Sequence, residues 1–406
     1  MLDIHGPDIA RIPADSKSLA DDGKPELEPS MESTFSIHVP VNTSLNEQVL
    51  SFVTSPDPAT SESQSTEDAE FDTDDWQTLE RFKNRTVFSI GSTSSQFLYQ
   101  REIPRLAKEH SVLMHLTLTL TLMQDRFFED VRLEEPSKQT EAEAYHWYQG
   151  TVIFNTQLRQ LHSPMNSDER DALWGSAVML GCIAFFCIEG ETPQEVWPLK
   201  PPGPLDLDWL KISDGKKEVW RVANPLRPDS CFSSLADEQV AMVASALGEA
   251  PIMEGFKELW DMHPYKRAAG VIGELMSLEV TRRTFLHFLT FIAYVEGDFG
   301  RALGQRDPKA LLLLGMWYAK VARYKQWWPL RRAVLEGQAI ALYLEQNHPE
   351  FVQGPARHMH DFVRRGTGLE KDWGWRDFAR EAGMGNIGDV VGTCRERFGS
   401  GYYAPA

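Results

Sequence analysis

The run from Asp307 to His348, DPKALLLLGMWYAKVARYKQWWPLRRAVLEGQAIALYLEQNH, leaves this chain few ways to fold. Asp307 suits a helix N-cap, where its side chain accepts a backbone N–H, and Pro308 suits the first helical position, where its missing donor costs nothing. Leu311, Leu312, Leu313, Leu314, Met316, Trp317, Val321 and Ala322 then cover nearly every face. A helix tolerates that only when protein or lipid surrounds it. Pro329 interrupts the pattern, and a second helical period runs through Val334, Ile340, Leu342 and Leu344. Two buried helices meeting at a Trp-Trp-Pro corner are therefore expected, with no polar residue in them spaced for chemistry.

The rest of the chain extends the helical pattern. Pro104 can open a helix whose Leu106, Leu113, Leu116, Leu120 and Met123 share one face. Within it, HLTLTLTLM from His115 to Met123 also fits a strand template, but the apolar stripe continues beyond that window and favours helix. Ser167, Asp168 and Glu169 mark the start of an apolar helix ending near Ile188. The apolar part, Ala172 to Ile188, falls short of the roughly 20 residues of a membrane span and is expected as a buried core helix. The proline- and tryptophan-rich segment from Trp197 to Pro228 is expected as a long ordered connection, packed by its aromatic residues. Further helices are expected at Ser234 to Leu247, Ile252 to Trp260 and Ala268 to Val295, with shorter amphipathic pieces after Pro349.

Charge divides the chain. Between Lys24 and Arg81 there are 13 acidic residues and no Lys or Arg, which leaves only −5 of the net −18 for everything else. With few large apolar residues to offset the entropy of ordering, residues 1–75 are expected to form a disordered acidic arm. At its end, Phe71 and Trp76 stand in an acidic field, the composition of segments that fold onto partner proteins. The nearly balanced remainder offers no basic face to release phosphate counterions, so direct DNA binding is not expected. Cys182, Cys187, Cys231 and Cys394 form no CxxC pair and are expected as reduced thiols.

Four blocks carry a family resemblance: LMHLTLTL (Leu113 to Leu120), AYHWYQ (Ala144 to Gln149), LWGSAVMLGCIAFF (Leu173 to Phe186) and EVWPLKPPGPLDLDWLKISDGKKEVWRVANPLRPDS (Glu195 to Ser230). With the Trp-Trp corner, they resemble the fungal-specific transcription factor domain, the all-helical regulatory half of many zinc binuclear-cluster regulators, sterol-uptake regulators among them. The resemblance implies an all-α domain over residues 76–348; the tail over 349–406 extends past it and is expected from its own pattern as a helical extension. It also implies a nuclear location and a sterol or other lipid ligand, for which Met179, Phe185, Phe186, Trp317 and Tyr318 would line the pocket. Helical spacing alone assigns the same side chains to ordinary core. The family's DNA reader needs six closely spaced cysteines holding two zinc ions, and these 406 residues do not supply them.

Motifs for catalysis are weak in their settings. GMGNIG places Gly383, Gly385 and Gly388 at dinucleotide-fingerprint offsets, but WRDFAREA before it is helical in pattern, so Gly383 is expected as a helix C-cap. His358 and His360 form an HMH pair with no third metal ligand evident. His110, His115, His146, His162 and His287 lie in helical windows without a recognisable acidic partner, and His115 and His287 are expected as hydrogen-bonded core residues. A terpene-synthase-like enzyme would hold magnesium through clustered aspartates, for which only Asp72, Asp74 and Asp75 are available. The expected function is therefore non-enzymatic, with no cofactor or metal. The chain is expected to regulate transcription of a metabolic or secondary-metabolite gene set through transcription factors or coactivators, with a homodimer also admitted. A sterol- or lipid-binding sensor is the first alternative, and an all-α enzyme of terpene-synthase type the second.

Overall fold

The computed structural model describes residues 71–91, 95–159, 164–203, 206–235, 260, 262–281, 284–289, 291–292, 295 and 297–384. Among them every regular element is helical, and no strand occurs. The expected helices at Ser234 to Leu247 and Ile252 to Trp260 lie almost wholly outside the described residues, as do Gly385, Gly388, His162 and Cys394. So does the acidic arm before Phe71.

Fourteen α-helices are described, numbered here in chain order. The first five are α1 (Thr73–Asn84), α2 (Ser95–Ala107), α3 (Ser111–Leu133), α4 (Glu141–Arg159) and α5 (Ser167–Phe186). They are followed by α6 (Asp208–Ala223), α7 (Lys266–Ser277), α8 (Phe285–Leu289) and α9 (Gly297–Gly304). The last five are α10 (Pro308–Tyr324), α11 (Trp327–Asn347), α12 (Pro349–Gln353), α13 (Arg357–Gly366) and α14 (Trp375–Glu381).

The two expected central helices are α10 and α11. The Asp307 carboxylate accepts the Lys309 and Ala310 N–H groups, both at 3.0 Å, and Pro308 opens the helix. The corner itself falls at Lys325, whose φ of 54° turns the chain into the left-handed region. Pro329 is the third residue of α11, where no intrahelical donor is required, so it starts the second helix and does not break the first. From Ala310 to Ala322 every α10 side chain is buried. Helix α11 packs on α10, α5, α13 and α14, and is the axis of the fold.

The Leu/Thr ladder is helical. In α3 the Thr119 hydroxyl donates to the His115 carbonyl at 2.8 Å and the Thr121 hydroxyl to the Thr117 carbonyl at 2.9 Å. Both hydroxyls thus remain satisfied inside the core while the alternating leucines pack on their own faces. Pro104 does not open this helix; it lies near the end of α2, and α3 begins after His110 in extended conformation. Asn166 caps α5 through a reciprocal box with Glu169, one residue before the expected start.

Two other expectations give way. The Trp197 to Pro228 connection contains a full helix, α6, packed along α5. The helix expected from Ala268 to Val295 is divided into α7 and α8. Leu278 is extended between them, and the Thr281 and Thr284 side chains bond the local backbone. After Pro349, α13 packs on α10 while α14 packs on α11 and α3, so these short pieces help complete the core.

Candidate functional site

The five residues expected around a lipid are all buried in the α5–α10–α11 core. Three of them form one ring cluster with Trp209 of α6: Phe185 lies 4.7 Å from Trp209 and 5.7 Å from Trp317, and Trp317 lies 5.3 Å from Tyr318. Phe186 faces the other way, 5.2 Å from Trp327 and 6.3 Å from Phe127. Met179, further back along α5, is fully buried. Ring separations of this size are direct packing contacts, which supports a scaffold role for these side chains.

Beneath the rings runs a charged network. Arg332 donates to Glu336, its Nε bonds the Phe185 carbonyl at 3.0 Å, and its Nη2 reaches the carbonyls of Ala184, at 3.2 Å, and Cys187. One buried guanidinium therefore satisfies the C-terminal carbonyls of α5 and places a cation where the helix dipole favours it. Its plane also covers Trp209 at 5.3 Å. The Tyr318 hydroxyl donates to Glu336, and burial with that neighbouring carboxylate pushes the phenol well above its ordinary pKa. Burial raises the Glu336 carboxyl as well, against the opposing pull of Arg332.

Arg331 turns elsewhere. It bonds the Gly190 carbonyl at 2.8 Å and pairs with Glu191, while Arg376 reaches the other Glu191 oxygen at 2.9 Å. Both members of the Arg331–Arg332 pair thus bond groups within the fold. At the start of α5, Arg227 bonds Asp171 at 2.6 Å, and Asp171 also accepts the Ser230 hydroxyl at 2.7 Å and the Cys231 N–H at 2.8 Å. These contacts bind the chain leaving α6 to the helix it covers.

The sharpest departure from the sequence reading lies where the acidic region enters the helical body. Asp72 and Asp75 form a reciprocal capping box on α1. Asp75 Oδ1 also meets His146 Nε2 at 2.9 Å, and His146 Nδ1 meets His115 Nδ1 at 2.9 Å. His146 therefore has an acidic partner. With its Nε2–H donated to Asp75, its Nδ1 accepts the proton held by His115. Burial beside a second imidazole lowers the His115 pKa to about 4. Burial lowers His146 too, opposed by Asp75. Phe71 packs over this pair, 4.8 Å from the His115 ring and stacked 6.5 Å from His146. Phe71 to Asp75, read from the sequence as part of the acidic arm, thus include residues that pack on or cap the described helices. Trp76 itself stays 41 % exposed, with Asp72, Asp74 and Asp75 just before it.

The other motifs resolve locally. His358 and His360 lie on α13, and His360 is buried against the Ala341 carbonyl at 3.1 Å while His358 is exposed. Gly383 follows α14 at φ +75°, its N–H bonding the Arg380 carbonyl at 2.8 Å, the C-cap its position predicted. Among the described residues no three His, Cys, Asp or Glu side chains are arranged to hold a metal ion. No described helix is long and apolar enough to cross a membrane. The Arg332–Glu336 pair has helical i,i+4 spacing, but the α5 carbonyls that Arg332 bonds and the Asp75 partner of His146 are distant in the chain and leave no local sequence signal. No family model matches the chain, and no curated protein or solved structure matches it either.

Proposed function

We propose that this chain is a regulator of transcription that works through partner proteins, its helical body serving as a rigid platform for the acidic segment before it. The observation that carries this reading is the junction. Phe71 and Asp75 are tied to the buried His115–His146 pair, while Trp76 is left exposed among acidic residues. An aromatic side chain held outward on an anchored helix loses little freedom when it is buried against a partner, so binding there costs less ordering entropy. The adjoining acidic residues would favour a partner surface of positive potential.

The resemblance to the fungal-specific transcription factor domain supplies the biological setting of the proposal: a nuclear coregulator of a metabolic or secondary-metabolite gene set, recruited by proteins that read DNA. The ring-to-ring packing of Phe185, Trp209, Trp317 and Tyr318 favours this platform reading over a lipid sensor.

A tethering assay tests it. The full chain, fused to an unrelated DNA-binding domain, is expected to change expression of a reporter carrying that domain's site. Removal of residues 1–70 from the fusion is expected to abolish the change. A reporter indifferent to the full-chain fusion would contradict the proposal.

A further inference from the structure

Helix α4 lies at the surface without a surface helix's charge pattern. Among the described helices it packs extensively on α3 alone, through a buried face that includes His146, Trp147, Gly150 and Phe154. A helix held on one side ordinarily turns charged residues to water on the other. From Ala144 to Leu158, however, there is no Asp, Glu, Lys or Arg. The outer side instead presents Tyr145, Tyr148 and Val152 at the i, i+3 and i+7 spacing of one stripe. Tyr145 is 44 % exposed and Val152 43 %, so no described segment covers them, and Tyr148 is half-buried.

The size of the stripe and its place in the chain select its occupant. Tyr145 to Val152 spans about 10 Å of helix. So few side chains fall well short of the about 800 Å² per partner that a stable protein pair buries. A tethered segment needs no such area, because a short linker holds it near the face at an effective concentration on the order of millimolar. Phe71 packs 4.8 Å from the His115 ring, and Tyr145 meets the same ring edge-on at 5.8 Å. Residues 1–70 therefore join the body at the N-terminal end of the stripe. Thr54 to Glu70 contain no large apolar side chain, and the next apolar cluster back along the chain is Val49, Leu50, Phe52 and Val53. The 18 positions from Val53 to Phe71 can span up to about 60 Å, whereas the 19 residues of α4 extend only about 28 Å.

We propose that the outer face of α4 is the docking site for residues 49–53 of the same chain, VLSFV, with Leu50 and Phe52 supplying the side chains that cover Tyr145, Tyr148 and Val152. The apolar stripe and the apolar cluster then leave water together, and the acidic residues from Asp57 to Glu70 are held as a loop tied to the body at both ends. The site is independent of the transcriptional reading, because its test needs neither a partner protein nor a gene.

Hydroxyl-radical footprinting of the full chain, read by peptide mapping, tests the contact from both sides. In the double variant Leu50→Asp with Phe52→Asp, which leaves the described helices untouched, Tyr145 and Tyr148 are expected to oxidise severalfold faster than in the parent. Phe97, exposed on α2, should keep its rate. Val152→Glu, at an exposed position, should speed oxidation of Phe52 severalfold with an unchanged far-ultraviolet circular dichroism spectrum. Dilution of the parent should change none of these rates, since the contact lies within one chain. Unchanged Tyr145 and Tyr148 rates in the double variant would overturn the proposal, as would an unchanged Phe52 rate in Val152→Glu. Tyrosine rates that rise on dilution would also overturn it, by assigning the face to a second copy.

Discussion

Asp75 and His146, 71 positions apart in the chain, meet at 2.9 Å between Oδ1 and Nε2, and through this contact the acidic region is joined to the helical body. The carboxylate also belongs to the α1 capping box, so one side chain starts a helix and positions a buried imidazole. His146 in turn holds His115, and Phe71 covers both rings. The attachment therefore depends on protonation state.

Acid should loosen the fold at this point. The His115 pKa is lowered from 6.5 to about 4, so its neutral form is favoured by folding. Its contribution is fully present above the unfolded-state value and declines as pH falls through the folded one. The loss between pH 6.5 and 4 is on the order of 3 kcal/mol. Urea denaturation from pH 7 to 4 should show that decline, with a flatter profile in His115→Gln. An identical slope in the variant would show that other groups set the acid response.

Arg332 holds the end of α5 and the Glu336 carboxylate together, so its removal leaves both without their partner. Arg332→Met is expected to cost about 3–5 kcal/mol in urea unfolding, the usual result of breaking a buried pair on one side. Adding Glu336→Gln should recover roughly 1–2 kcal/mol, because the orphaned charge is gone while an acceptor for Tyr318 remains. Strict additivity of the two substitutions would contradict the coupling.

Helices α10 and α13 meet through a missing side chain. A Cβ on Gly366 would stand 2.5 Å from Ala319 Cβ and 3.1 Å from its backbone. Gly366→Ala should therefore destabilise by about 1–3 kcal/mol, as overpacking does. In α7, a Cβ at Gly270 meets no described atom within 4 Å, and Gly270→Ala should be neutral or stabilise by up to about 1 kcal/mol through helix propensity. Thermal unfolding of the two variants separates these outcomes.

Trp76 and Phe71 should separate binding from folding. Trp76 is 41 % exposed, so Trp76→Ala is expected to leave the melting temperature within a degree or two while weakening recruitment in the tethering assay. Phe71→Ala removes the cover over His115 and His146 and should reduce both. Full reporter activity in Trp76→Ala would assign recruitment to another surface.

The parts of this fold visible in the sequence are those written in neighbouring residues. Asp307 and Pro308 announce α10, and the stripe extending past HLTLTLTLM identifies α3 as helix despite its strand-like alternation. Proline misleads where its position in the helix decides its effect: Pro329 lies inside the first turn of α11, and Pro104 near the end of α2. Prolines on either side of α6 likewise concealed a helix. The site elements were harder still. Arg331 and Arg332 look like surface cations until carbonyls of α5 and the loop after it, more than 140 positions earlier, surround them. His146 shows no acid at helical spacing because Asp75 comes from another helix.

The central claim is that this chain reaches genes through other proteins. It is tested most directly by chromatin immunoprecipitation of the full-length chain, followed by binding of the purified chain to the recovered fragments as naked DNA. Occupancy in cells without sequence-specific binding by the purified chain, restored on adding a DNA-reading partner, is the predicted result. Specific binding of the purified chain alone to those fragments would contradict it.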